Sequence, residues 1–224
     1  MQELNELTRE SEEIIENVFS IVQSIPSSDW LEKLNSDDFK LYTRTENNKK
    51  MSVSICETAV SAETMITHAC DDEITKHLDQ FIEKEEVLET LSNHLSVVCL
   101  YYRGLLMISG RYFMTYRYWK VLDEGKYIVC WWDVTNEKYP IPKRKVKGSM
   151  LSAYIFENLP QRKGCKATLV TQIELGGSIP SWCQDIINSD IPWQLQRMGK
   201  MLSDDKYECH KTQITNEDIL YENQ

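Results

Sequence analysis

The chain has 224 residues, 42% hydrophobic and 27% charged, an ordinary globular balance with length for one large domain. Its formal net charge of −10 argues against an extended nucleic-acid surface, which needs clustered Lys and Arg. The opening Met1-Gln2-Glu3-Leu4-Asn5-Glu6 has neither the basic nor the apolar stretch of a secretory signal, and no apolar run reaches membrane-spanning length; a cytoplasmic protein is expected.

A first helix is predicted over residues 3–24, where Ile14, Ile15, Val18, Phe19, Val22 and Ile25 recur at helical spacing until Pro26 stops the pattern. Asp29-Trp30-Leu31 opens a short second segment. Alternation through Phe39, Leu41, Thr43 and then Met51, Val53, Ile55, with Asn47-Asn48 between, predicts a β-hairpin. Ser61 caps a short helix to about Cys70, and another reaches Leu78. Strands follow at residues 86–91, 95–102, 111–120, 127–135, 146–157 and 166–175, joined by short turns that imply an antiparallel meander. A last helix runs from Pro180 to Leu202 with a kink at Pro192. The expected organisation is one domain over residues 1–203 and a polar tail over 204–224. The fold class is α+β, a curved sheet gripping the final helix.

The seven cysteines, Cys56, Cys70, Cys99, Cys130, Cys165, Cys183 and Cys209, are odd in number and form no CxxC. They read as reduced, mostly buried thiols of an intracellular protein, the alternative being a reactive or metal-binding subset. GxSxG, GxGxxG, Walker and HExxH motifs are absent, and His68, His77, His94 and His210 lack ligand spacing. An enzyme is not expected, nor a cofactor or a metal.

Several segments of the second half resemble the START (steroidogenic-acute-regulatory-related lipid-transfer) family. They are residues 108–117 (Ile-Ser-Gly-Arg-Tyr-Phe-Met-Thr-Tyr-Arg), 127–134 (Tyr-Ile-Val-Cys-Trp-Trp-Asp-Val), 145–148 (Lys-Val-Lys-Gly) and 176–182 (Gly-Gly-Ser-Ile-Pro-Ser-Trp), with 87–91 (Val-Leu-Glu-Thr-Leu) also similar. The resemblance covers about residues 5–203. One departure is that the family's Arg-Asp reads Arg111-Tyr112. The resemblance implies a helix-grip fold: a U-shaped antiparallel sheet around a hydrophobic tunnel, closed by the C-terminal helix, holding one sterol, phospholipid or sphingolipid. In ceramide-carrying relatives polar side chains read the ligand; the counterparts here look like Leu100 and Trp131, which disfavours ceramide.

Period two puts Arg111, Phe113, Thr115, Arg117 and Trp119 on one strand face, and the resemblance turns Arg117 inward. A cation there needs a carboxylate, water or an anionic headgroup. Folding 111–120 against 126–135 about Asp123 sets Phe113 opposite Asp133 and Arg111 diagonal to it, an expected ion pair. Arg117 is left as a phosphate contact, or else as a structural pair or surface residue. Trp131 shares a face with Asp133 and either lines the cavity as a seat for a quaternary ammonium or simply packs.

The expected ligand-binding set is Leu100, Tyr102, Arg111, Phe113, Thr115, Arg117, Trp131, Asp133, Leu169, Thr171, Ile173, Trp182 and Ile186. Leu105, Leu106, Met107 and Ile108, between Gly104 and Gly110, are either a membrane-contacting gate or a cap on the core. Lys138, Lys143, Arg144, Lys145 and Lys147 meet anionic headgroups or merely protect a sheet edge. The leading expectation is lipid transfer by a monomer with transient membrane contact, a choline phospholipid slightly preferred over sterol. A helix-grip cyclase or hydrolase with Asp133 as its acid–base group, and a lipid-sensing interaction module, are the alternatives.

Overall fold

The apolar stripe that opens the chain forms helix α1 (Gln2–Gln23), whose Leu7, Ile15, Val18 and Ile21 are buried. The computed structural model describes residues 2–104, 108–123, 125–135 and 138–204. The predicted tail beyond 204 and the loop residues Leu105, Leu106 and Met107 lie outside that description.

The short segment expected from Asp29-Trp30-Leu31 is a strand, β1 (Leu31–Asn35). It lies at the sheet edge with every residue exposed, and its pairing with the next strand is interrupted between Glu32 and Leu34. Strands β2 (Phe39–Glu46) and β3 (Lys49–Thr58) form the predicted hairpin. Asn47 and Asn48 both have positive φ, 50° and 62°, the backbone that a two-residue hairpin turn demands and Asn tolerates. Helices α2 (Ala62–His68) and α3 (Asp72–Leu78) follow, α2 capped by the Ser61 hydroxyl, which accepts from the Thr64 N–H.

The remaining strands are β4 (Ile82–Thr90), β5 (Leu95–Tyr102), β6 (Gly110–Asp123), β7 (Lys126–Asp133), β8 (Lys145–Lys147), β9 (Ser149–Asn158) and β10 (Cys165–Glu174). The strand predicted over 146–157 is two pieces divided at Gly148. A Cβ there would collide with the Phe113 ring and crowd the Glu174 carbonyl oxygen, so only glycine fits. β8 runs parallel to the start of β6, off the main path.

The sheet order is β1-β2-β3-β10-β9-β7-β6-β5-β4. The meander is therefore not the whole sheet; the N-terminal hairpin joins beyond β10 and extends the other wall. Successive strand residues point to opposite faces, and both faces are covered. The outer face buries Tyr42, Val53, Cys99, Tyr116, Cys130, Trp132 and Val170 in one cluster with the apolar residues of α1. On that side Glu10 accepts from Trp132 Nε1 (2.9 Å), and Lys120 donates to both oxygens of Glu12 (2.7 and 2.9 Å). The inner face packs on α2, α3 and the C-terminal helices.

The last helix breaks where Pro192 removes a backbone donor. It becomes α4 (Ser181–Asp190), a single 3-10 turn (Ile191–Trp193) and α5 (Gln194–Leu202). Leu195 and Met198 of α5 are fully buried in the inner cluster. Phe39 of β2 stacks on Trp193 with ring centroids 4.2 Å apart. Gly199 lets α5 approach the end of β3: a Cβ there would lie 2.5 Å from Thr58 Oγ1 and 2.9 Å from Thr58 Cβ. Gly199→Val should therefore overpack this junction and cost about 1–3 kcal/mol. Thermal melting should fall by several degrees, and hydrogen exchange should speed up in α5 before the sheet. An unchanged melting temperature would show that the contact is slack.

Candidate ligand cavity

Strand register assembles the inner wall. Tyr102, Leu100, Val98 and Ser96 of β5 stand opposite Arg111, Phe113, Thr115 and Arg117 of β6. Arg117 in turn faces Trp131 of β7, Trp131 faces Ser152 of β9, and Ser152 faces Thr171 of β10. Leu169 and Ile173 lie on the same face of β10 as Thr171, each within the inner cluster.

Several spaces open along this wall. At the mouth, a pocket of about 60 Å³ is bounded by Phe81, Ile108, Arg111, Leu175, Cys183 and Ile186, among others. In the middle, a cavity of about 50 Å³ is lined by Leu100, Tyr102, Trp131, Ser152, Tyr154, Ile173 and Gln194, with Glu85 at its edge. At the opposite end of β5 and β6, about 360 Å³ is bordered by Arg117, Trp119, His94 and Ser96. Ligand pockets for drug-sized molecules run to roughly 300–1,000 Å³. The middle cavity is far below that, so a molecule of that size enters it only if the covering helices shift.

Arg117 is not left without a partner, as the sequence suggested. Its guanidinium donates to Glu85 Oε1 at 2.7 Å, and the two side chains are only 6% and 4% exposed. Glu85 lies on β4 opposite Leu100, inside the wall. It stands in the run Glu83-Lys84-Glu85-Glu86, which reads as a solvated edge. Pairing slips between Ile82 and Lys84, so simple alternation does not reveal that Glu85 turns inward.

The expected Arg111–Asp133 pair is replaced by two separate arrangements. The β6–β7 turn closes at Asp123 and Lys126, which sets Asp133 opposite Thr115 rather than Phe113. Asp133 accepts from the Met150 N–H at 2.9 Å, and burial raises its carboxyl above the usual range. Arg111 instead donates to three carbonyls: Leu175 (3.1 Å), Gly176 (3.3 Å) and Ser109. It thereby ties the loop before β6 to the segment leading into α4. Gln184 adds a second tie, donating to the Ile173 carbonyl (2.7 Å) and accepting from the Leu175 N–H (3.1 Å).

Other expected residues divide clearly. Phe113 is buried and meets Tyr102 edge to face, centroids 5.3 Å apart. Trp131 packs at a tilt on Tyr154, centroids 5.0 Å apart, and the Tyr154 hydroxyl reaches Gln194 Oε1 at 3.2 Å. Trp182 borders none of the three spaces and is 42% exposed, because α4 turns Cys183, Ile186 and Ile187 toward the sheet and Trp182 away. Ile108 stands at the mouth, while the gate assignment of Leu105, Leu106 and Met107 falls on residues not described. Part of the basic cluster is neutralised, Lys145 by Glu83 (2.6 Å) and Lys138 by Glu89 (2.8 Å). Lys143 and Arg144 remain exposed.

The wall also holds polar atoms that make no hydrogen bond: Ser54 Oγ, Thr115 Oγ1 and Thr171 Oγ1 are buried without one. Asp79 accepts from the Phe81 N–H (2.9 Å) through one oxygen; the other, near the Tyr102 hydroxyl, has no well-aligned bond. Burial raises the Asp79 carboxyl above its ordinary range and pushes the Tyr102 phenol well up.

A START domain family model matches residues 25–200 of the chain. Among solved structures, human StAR-related lipid transfer protein 5 is similar at 16% identity, covering 88% of this chain and 98% of that one, with a TM-score of 0.73. Human STARD10 is similar at 20% identity, covering 80% and 74%, with a TM-score of 0.67. A STAR-related lipid transfer protein from Xanthomonas axonopodis is similar at 17%, covering 79% and 100%, with a TM-score of 0.66. At these identities the structural likeness speaks for the helix-grip fold. No curated protein sequence matches the chain.

Two measurements follow from the wall. Removing one member of a buried ion pair strands the other, so Glu85→Ala should cost about 3–5 kcal/mol in urea unfolding. Glu85→Leu combined with Arg117→Met should recover most of that loss; additive losses would show the two uncoupled. Asp79 holds its proton to higher pH in the folded chain than in the unfolded one. Its folded state is thus penalised as pH rises above about 4, where an ordinary Asp ionises. Asp79→Asn keeps an acceptor for Phe81 and should raise stability at pH 7 while changing little at pH 3, as paired denaturation curves would reveal.

Proposed function

The chain belongs to the START domain family, and from that premise we propose that it carries one lipid inside the grip and passes it between membranes without covalent chemistry. The observation that carries this reading is the Glu85–Arg117 pair, buried on the inner wall beside the middle cavity and the space at the far end of β5 and β6. Such a pair offers a donor and an acceptor side by side with nearly balanced charge. A lipid hydroxyl can accept from Arg117 and donate to Glu85 at once.

A sterol-like, hydroxyl-bearing lipid fits this pair better than the choline phospholipid expected from sequence. A phosphate would have to compete with Glu85 for Arg117, and Trp131 is already packed against Tyr154. Asp133, the candidate acid–base group of an enzymatic reading, is bonded to the Met150 N–H, and nothing favours chemistry there. Transfer also requires contact with a bilayer, in which the chain would act as a monomer through its mouth. Ile108, its neighbours Leu105, Leu106 and Met107, and the exposed Trp182 are the proposed contacts, since tryptophan favours the membrane–water interface.

Vesicle-to-vesicle transfer assays with fluorescent sterol and with fluorescent phosphatidylcholine test the reading. Sterol transfer is the expected result. Phosphatidylcholine transfer without sterol transfer would overturn the ligand preference, and transfer of neither would overturn the carrier function. Trp182→Ala should leave the melting temperature within a degree or two, as surface changes do, and reduce vesicle co-sedimentation severalfold. A Trp182→Ala protein that still binds vesicles fully would remove this residue from the contact.

A further inference from the structure

One row across the inner wall breaks the apolar rule. Strand register places Thr43 of β2 opposite Ser52 of β3, Ser52 opposite Thr171 of β10, and Thr171 opposite Ser152 of β9. All four are buried, between 5% and 8% exposed. Along β10 and β9 the positions flanking this row toward the mouth are Ile173 and Met150, and those on the other side are Leu169 and Tyr154. Ser52 and Thr171 border a small gap beneath the end of α4, together with Asn188 and Ile191, and Ser152 borders the middle cavity. Thr171 Oγ1 makes no hydrogen bond. A buried hydroxyl without a partner is destabilising, and valine would fill the same shape at that site without the cost.

We propose that Ser52, Thr171 and Ser152 form a second polar recognition site, on the wall across from Glu85 and Arg117, for an oxygen function at the other end of the bound lipid. Thr171 and Arg117 lie on β10 and β6, separated by β9 and β7. Three strand spacings of about 4.8 Å set them roughly 14 Å apart along the sheet, and less across its curve. The ligand class is thus an apolar lipid oxygenated at both ends; a sterol hydroxylated on its flexible side chain is one that can bring its two oxygens to that separation. A diacyl lipid, whose chains end in methyl groups, would leave the row unsatisfied. This inference rests on the sterol-like reading above and narrows it.

The test compares equilibrium binding of cholesterol and of cholesterol hydroxylated at the end of its side chain, using the full chain. The wild-type protein should prefer the hydroxylated sterol by about tenfold, the equivalent of one satisfied hydrogen bond. In Thr171→Val and in Ser152→Ala that ratio should fall toward one. Thr171→Val should also melt no lower than wild type in the absence of sterol, because it removes a buried unbonded oxygen. Equal binding of the two sterols by wild type, or a preference that survives both substitutions, would overturn the second site while the sterol reading stands. Binding of neither sterol would overturn both.

Discussion

Over its central strands the sheet is covered on both faces, and this constraint organises the molecule. Because strand residues alternate, every second residue of β6 belongs to the cluster shared with α1 and every other one to the ligand wall. Tyr116 and Arg117 are neighbours in sequence, yet the tyrosine packs against Trp132 on the outside while the arginine pairs with Glu85 inside. A slip of one residue would exchange the two environments, placing a charge in the outer apolar layer and an aromatic ring where the ion pair sits. The outer layer under α1 thus fixes the register that the inner wall requires.

The inner wall then differs from an ordinary core in how it treats polarity. An ordinary core either omits polar groups or completes their hydrogen bonds. Here one ion pair is complete, while three hydroxyls and one carboxylate oxygen are incomplete. Incompleteness of this kind is energetically unfavourable in the closed protein and becomes favourable only when something supplies the missing partners. The same residues therefore lower the stability of the closed protein.

Much of this was legible in the chain. Apolar periodicity located α1, the β2–β3 hairpin and most of the meander, and Pro192 announced the break in the last helix. The inward set on β6 followed from period two. Glu85 was hidden because a bulge in β4 shifts its phase, and a bulge leaves no mark in a run of charged residues. The exchange of partners at Arg111 was hidden for a different reason. Two of its three acceptors are backbone carbonyls some sixty-five residues away, and every residue carries a carbonyl, so no residue type signals the contact. The hydroxyl row became visible only when β3, β10 and β9 were set side by side, since its members are scattered over more than a hundred positions.

The break at Pro192 divides the covering segment into two rods with unequal moorings. α5 is sunk into the inner cluster through Leu195 and Met198 and fits flush to Thr58 through Gly199. α4 buries less, and the Gln184 amide fastens it to the end of β10 much as a neighbouring strand would. A load on the mouth is therefore borne by a short rod that can pivot about the 3-10 turn while the long-range framework stays seated. Under the proposed carrier function, loading and unloading would draw on the local opening free energy of one ten-residue segment. Cargo exchange would then be fast in a protein whose global unfolding is slow, and the two rates would be free to evolve independently.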